Sequence, residues 1–267
     1  MLTEFNRAFL DFEHDAYSLL HECSFDPGKE LTSLKVQIQA QSLATDLGYL
    51  AMVMRDLHQN AIQDVSNEMD RDNAEYDRYL KEQMVKQGSN LVLDDVFFRN
   101  QPRREKKISI ALAKLGSAFK AFLFPVRAYQ DALYKIALRI NGETVGGKSS
   151  MTRAVDVKTR TFITTNAIGQ LLAVAVPEYA TWFGSLRAQR DFIKYGAAIS
   201  YSTGKTFVTG ETTVAIKLHT SSEGEQPAIS LDDVSRSLRM STALTKAIIY
   251  VGVSRGKFKA RASQIAP

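Results

Sequence analysis

The chain of 267 residues has one cysteine, Cys23, and six prolines. A single cysteine excludes an intramolecular disulfide and a zinc site built from cysteine ligands, and it is typical of a reducing cytoplasm. The longest apolar run, near residues 171–177, is too short to span a bilayer, and the N-terminus lacks the basic and apolar regions of a secretion signal. The sequence therefore predicts a cytoplasmic protein without a membrane span.

Acidic residues are missing from the C-terminal end, where none follows Asp233. Residues 1–100 carry 9 basic and 18 acidic side chains, whereas residues 101–267 carry 25 and 11, so the net charge of +5 divides into −9 and +14. A basic half of this kind can attract nucleic acid, and it can equally pair with the protein's own acidic half or with a second subunit. The apolar fraction of 45% is that of a globular protein and excludes disorder across the whole chain.

The scarcity of proline and glycine leaves room for long helices, and apolar residues recur at helical spacing over most of the chain. The spacing predicts helices over residues 1–23, 103–140, 157–176 and 177–195, and over a last segment from Ser230 to Tyr250. Residues 31–85 are predicted to form one long helix or two consecutive helices. Between the last two helices, alternating residues predict a β-hairpin or a three-stranded meander with turns at Gly204 and Gly210. The predicted fold is mainly α, a multi-helix bundle with a small β-hairpin or meander between the last two long helices.

Composition divides this bundle into three regions. We predict an acidic helical region over residues 1–100, a basic helical-bundle core over 101–254 with the hairpin near 197–219, and a flexible basic tail over 255–267. Pro125 should kink its helix, and Ser230 with Asp233 resembles a capping box at the start of the last helix.

The segment from Gly142 to Ser149 matches the P-loop pattern, with Gly142, Gly147, Lys148 and Ser149 at its defining positions. A P-loop needs a strand before its first glycine and a helix N-terminus after it. The residues before Gly142 have mainly helical period, and no apolar strand ending in aspartate follows. A mobile, cationic loop between helices is the favoured interpretation, and a nucleotide-binding enzyme using Lys148 and Ser149 is the alternative.

Arg190 lies on an apolar helical stripe between Leu186 and Ile193, where an arginine is costly unless it forms an ion pair or serves a function. A snorkelling or ion-paired structural arginine is the favoured interpretation, and an anion-binding arginine is the alternative. Asp191 is adjacent in sequence but is predicted to point away from it. The histidines give no common metal site, since His14 and His21 lie roughly 10 Å apart by helical rise. We predict no metal and no cofactor.

The run from Arg190 to Gly196, with a hairpin and a final helix after it, resembles the signature of HEPN domains (higher eukaryotes and prokaryotes nucleotide-binding). Arg190 and the polar Asp191 match the motif, while its histidine position holds Tyr195. The resemblance covers residues 103–250 in layout and implies a helical bundle that usually dimerises; many members are RNases. A phenol with a pKa near 10 is a poor general base at neutral pH, so the resemblance implies a noncatalytic member.

These observations combine into one functional prediction. We expect a non-catalytic homodimer that binds RNA or another anionic partner through Arg190, Asp191, Lys194 and Tyr195. The alternatives are a nucleotide-binding enzyme that uses the loop at 142–149, and a divergent HEPN-type RNase.

Overall fold

The computed structural model describes residues 2–22, 24–25, 31–87, 101–147, 149–194, 198–206, 208–219 and 230–259. Within these ranges the protein is a mainly α-helical bundle, as predicted. The helices are, in chain order, α1 (Leu2–Asp11), α2 (Ser18–Glu22), α3 (Leu31–Gln87), α4 (Gln101–Ile140), α5 (Ala167–Ala175), α6 (Tyr179–Lys194) and α7 (Leu231–Ser254). A π-helical turn over Phe12–Tyr17 joins α1 to α2, so the predicted first helix is continuous across this turn.

The strands form short antiparallel pairs. They are β1 (Ser24–Phe25) with β6 (Phe258–Lys259), β2 (Val155–Asp156) with β3 (Thr161–Phe162), and β4 (Ala198–Lys205) with β5 (Thr212–His219). The predicted hairpin is therefore present as β4 and β5. The predicted turn at Gly204 is wrong, because this glycine pairs with Thr213 inside the hairpin, and the chain reverses nearer Gly210, which has a φ of 66°.

The two longest helices form the backbone of the bundle. A rise of 1.5 Å per residue makes α3 about 85 Å long and α4 about 60 Å long. They pack along each other. Phe12 lies beside Gly48 of α3 and Tyr129 of α4, while residues 57–64 lie opposite residues 107–114, so the two helices run antiparallel. Helices α1 and α7 pack against each other beside this pair. One continuous apolar core links residues from Phe5 to Ile249. The acidic N-terminal region thus shares its core with the basic region.

The helix predicted over 157–176 is wrong in its first half. Residues 155–162 form the β2–β3 pair instead, and helix α5 begins only after Asn166, whose side chain accepts hydrogen bonds from the backbone N–H groups of Ile168 and Gly169 at 2.9 and 3.0 Å. The apolar period continues through this segment, but the asparagine cap decides where the helix starts.

The capping box predicted for the last helix is present. The backbone N–H of Ser230 donates to Asp233 Oδ2 at 2.7 Å, and α7 begins at the next residue. The predicted flexible tail starts differently, since residues 258–259 pair with β1 near the N-terminus; residues 260–267 of that prediction lie outside the described ranges.

One segment of α4, Glu105–Ile140, is long and apolar enough by length and composition to cross a membrane. A core helix of a soluble protein meets the same criterion, and the buried side of this helix faces the bundle core, so the criterion is weak support for a span. Only 33% of its most apolar 18-residue window is buried, which means that this helix also has an apolar outer face.

Candidate functional site

The last turns of α6 place two arginines around one carboxylate. Arg187 Nε donates to Asp191 Oδ2 at 3.3 Å, and Arg190 Nε donates to Asp191 Oδ1 at 3.0 Å. A second nitrogen of Arg190, Nη2, also bonds to Oδ1. The side chains of Arg187, Arg190 and Asp191 are 31%, 22% and 32% exposed. Two guanidinium groups thus share a single aspartate at the protein surface.

This geometry corrects the prediction that Asp191 points away from Arg190. Neighbouring residues diverge by about 100° around a helix, but the long arginine side chain reaches back across that angle to the carboxylate. Burial raises the pKa of Asp191, and the hydrogen bonds from Arg190 and Arg187 more than offset it, so the pKa lies below its usual value. The carboxylate is therefore ionised at neutral pH.

A third arginine, Arg127 of α4, lies close to this pair and is buried, with only 6% of the residue exposed. Its Nη1 lies 2.7 Å from Asp131 Oδ1, its Nη2 donates to Ser150 Oγ at 2.7 Å, and its guanidinium carbon lies 4.8 Å from the centre of the Phe183 ring. Burial lowers the pKa of Arg127, and the positive charge of Arg190 lowers it further. Arginine nevertheless stays protonated in proteins, so the charge persists.

We call Arg127, Arg187 and Arg190, together with Asp131 and Asp191, the arginine cluster. Its three guanidinium groups face two carboxylates, which leaves one positive charge in excess among these five groups. Helices α4 and α6 supply all five residues and pack against each other, so the cluster is held on rigid elements.

Beside the cluster, Tyr179 is fully buried and stacks with Phe183 at a ring separation of 5.7 Å. Burial raises the pKa of its hydroxyl well above the usual value. Neither this hydroxyl nor Nε of Arg127 has a hydrogen-bond partner among the described residues. Two buried donors next to the arginine pair therefore have unused hydrogen-bonding capacity, which is uncommon in a protein interior.

The loop that matches the P-loop pattern begins at a helix end. Residues up to Ile140 are helical, Gly142 has a φ of 77°, and its N–H donates to the carbonyl of Arg139 while that of Glu143 donates to the carbonyl of Leu138. These bonds define a Schellman motif at a helix C-terminus. The strand that a P-loop requires before its first glycine is replaced by α4, in agreement with the predicted helix end.

The second half of the loop is anchored to the arginine cluster. Ser149 is buried, and its hydroxyl accepts a hydrogen bond from Gly146 N at 3.0 Å. Ser150 Oγ donates to Asp131 Oδ1 at 3.1 Å, and the N–H of Met151 donates to the same oxygen at 2.9 Å. A single 3₁₀ turn, Met151–Arg153, follows where a P-loop has an α-helix. The hydroxyl of Ser149 thus closes its own loop, and Lys148 lies outside the described residues.

The remaining predicted residues lie at the end of α6. Lys194 is exposed on its last turn, and Tyr195 lies outside the described residues. The structure thus brings Arg190 and Asp191 together and adds Arg127, Asp131 and Arg187, which the sequence reasoning missed. The sequence signal that singled out Arg190 is an arginine in line with the apolar residues of a helix. The same signal exists for Arg127, because Arg127 lies in helical register with the buried Leu123 and Tyr134.

No group of three or more His, Cys, Asp or Glu side chains in the described ranges is arranged to hold a metal ion. His58 is buried and packs beneath strand β5, and His14 pairs with Asp15 at the surface. Comparison with protein-family models, with curated proteins and with solved structures finds no match. What can be said of function therefore rests on the geometry of the arginine cluster.

Proposed function

We propose that this protein is a non-catalytic homodimer that binds an anionic partner, RNA foremost, through the arginine cluster. The observation that supports the proposal is the sharing of one carboxylate by Arg187 and Arg190. A guanidinium group has five N–H donors, and one aspartate cannot satisfy two such groups. Both side chains keep access to solvent, so a phosphate can occupy the donors that Asp191 leaves free.

The buried Arg127 strengthens the attraction for an anion. Its charge lies in a region from which water is largely excluded, where screening is weaker than at the surface. Asp131 offsets this charge, whereas the like charge of Arg190 repels it. An incoming phosphate would relieve the repulsion between the two arginines.

The absence of catalysis is part of the proposal and rests on the HEPN resemblance. The position of the motif histidine holds Tyr195, and a phenol is a poor proton acceptor at neutral pH. Arginine cannot replace it, because arginine does not release its proton in this pH range. We therefore expect RNA to be bound and recovered intact.

The test is binding of a fluorescently labelled single-stranded RNA to the purified full chain at several salt concentrations. Arg190→Gln should weaken binding roughly tenfold or more, since a hydrogen bond to a charged group contributes about 1.5 kcal/mol or more. It should also reduce the slope of log affinity against log salt by about 0.7, the value expected for one lost phosphate contact.

Two further variants make the test specific. Asp191→Asn frees both arginines from their carboxylate, so it should tighten binding, whereas arginines with a purely structural role would give no gain. Arg78→Gln, an exposed charge of equal sign on the distant part of α3, should leave affinity nearly unchanged. Undetectable RNA binding by the wild-type protein at a low salt concentration of about 50 mM would refute the proposal. Degradation of the RNA would refute its non-catalytic part.

A further inference from the structure

The paired helices α3 and α4 expose large apolar side chains on one outer face. On the stretch of α3 that runs beside α4 they are Leu34, Ile38, Tyr49 and Met52, exposed by 50%, 54%, 68% and 38%, and on α4 they are Ile110 and Phe124, exposed by 49% and 50%. We call these six residues and the small residues between them the hairpin face.

The hairpin face is a continuous stripe on each helix. Between Ile110 and Phe124 the exposed positions Ala113, Ser117 and Ala121 follow at intervals of three and four residues, which places them on one side of α4. The exposed Thr45 has the same relation to Ile38 and Tyr49 on α3. Uncharged residues at this spacing are typical of a helix side that is covered by another helix.

A groove of about 420 Å³ lies between α3 and α4 beside Ile110, at one end of the α4 stripe, and shows how the helices are aligned. Leu57, Asn60 and Asp64 of α3 line it opposite Lys107 and Lys114 of α4. Since the helices run antiparallel with equal rise, Thr45 and Tyr49 come level with Phe124 and Ala121 respectively. Small and large side chains therefore alternate between the two helices at the same height.

The area of this surface is that of a protein interface. Six large apolar side chains, each about half exposed, present on the order of 600 Å² of apolar surface, given about 150–250 Å² for a large side chain. A monomer seldom exposes an apolar patch larger than about 300–600 Å², and a stable dimer buries about 800 Å² on each partner. The six side chains alone thus supply on the order of three quarters of the area that one partner of a dimer buries.

The charges of the two helices indicate which kind of partner fits the hairpin face. The stretch of α3 that runs level with α4, residues 31–69, carries 4 acidic and 2 basic residues, whereas α4 carries 2 acidic and 9 basic residues. A twofold axis parallel to the helices would place α3 of each copy on α4 of the other, so acidic and basic helices would face each other twice. It would also set Phe124 of one copy against Thr45 of the second copy.

We propose that a second copy of this chain covers the hairpin face, with α3 of each copy lying on α4 of the other. This proposal gives a surface to the dimer of the proposed function and rests on that function only for the presence of a second copy. The arginine cluster lies on α4 and α6, and its binding of RNA is tested separately. Loss of RNA binding would leave the hairpin-face proposal standing, and a dimer that forms through another surface would leave the proposed function standing.

The test is the mass of the full chain in solution, measured by sedimentation equilibrium at micromolar concentration. The wild-type protein should have twice the monomer mass of 29.8 kDa. Phe124→Asp should weaken association roughly 30-fold or more, the effect of losing a central interface residue. Because Phe124 is half exposed, this variant should keep the helical circular dichroism of the wild type.

A compensating pair tests the arrangement of the helices. Thr45→Lys alone should weaken association, while Thr45→Lys combined with Phe124→Asp should restore part of it, because the new charges would face each other across the twofold axis. Val174→Asp, at a residue that is 87% exposed on α5, is the matched control and should leave the mass unchanged. A monomeric wild type overturns the proposal, and so does a monomer that floats with phospholipid vesicles, which would assign the face to a membrane. A dimer unaffected by Phe124→Asp overturns it as well.

Discussion

Replacing Arg127 by methionine tests whether the arginine cluster stabilises the fold as the structure indicates. Methionine nearly preserves the volume and can still pack on Phe183, so little cavity is created. The change removes the ion pair with Asp131 and the hydrogen bond to Ser150. Breaking a buried ion pair costs about 3–5 kcal/mol when the remaining charge stays buried.

Asp131 is 30% exposed, so water would hydrate part of the carboxylate that Arg127 leaves behind. The cost should therefore fall to about 2–3 kcal/mol of unfolding free energy. Urea unfolding followed by circular dichroism measures this loss. Arg78→Met, which removes an exposed arginine, is the matched control and should change the free energy by less than about 0.5 kcal/mol.

A double-mutant cycle separates the ion pair from other effects of the substitution. Asp131→Asn added to Arg127→Met should recover part of the lost stability, since no unpaired carboxylate remains and the amide oxygen can still accept from Met151. The reasoning would be refuted if Arg127→Met cost less than about 1 kcal/mol, or if the two substitutions were additive to within about 0.3 kcal/mol.

Two further predictions concern the fold. Gly169→Ala should cost more than about 2 kcal/mol in urea unfolding, because the added Cβ would lie 2.3 Å from the carbonyl oxygen of Ile163, whereas Gly146→Ala, with nothing within 4 Å, should be nearly neutral. Burial lowers the pKa of His58 below 6.5, so the unfolded chain binds the proton first and the unfolding free energy should fall as the pH drops through 6.5. His58→Gln should remove that part of the slope, which is at most about 1.4 kcal/mol per pH unit, and an unchanged slope between pH 5 and 7 would contradict the assignment.

Much of the fold follows from local sequence signals. The long interval without proline predicts α3, and the capping box at Ser230 predicts the start of α7, because both signals act within a few residues of the structure they specify. The segment 157–176 shows the limit of such signals. Its apolar period is helical throughout, but Asn166 caps the helix and Gly169 packs against the backbone of a neighbouring segment, so only the second half is helical.

The P-loop pattern shows a second limit. Eight residues that match letter by letter lie after a helix, and the hydrogen bonds at Gly142 are those of a helix end. A motif of this kind binds phosphate only where a strand and a helix present its amides together. The helical period before Gly142 was the better guide, since it reports the element that leads into the loop.

The sequence alone determined that this chain forms a mainly helical bundle and that Arg190 lies on an apolar helical stripe, because helical period and chain breaks are local properties. Only the tertiary structure decided what surrounds Arg190. Arg127 is 63 residues away along the chain, and packing of α4 on α6 brings the two charges together. Packing likewise decided which side of α3 and α4 stays exposed. Each of these helices has apolar residues on more than one side, and the sequence alone does not indicate which side the core will cover.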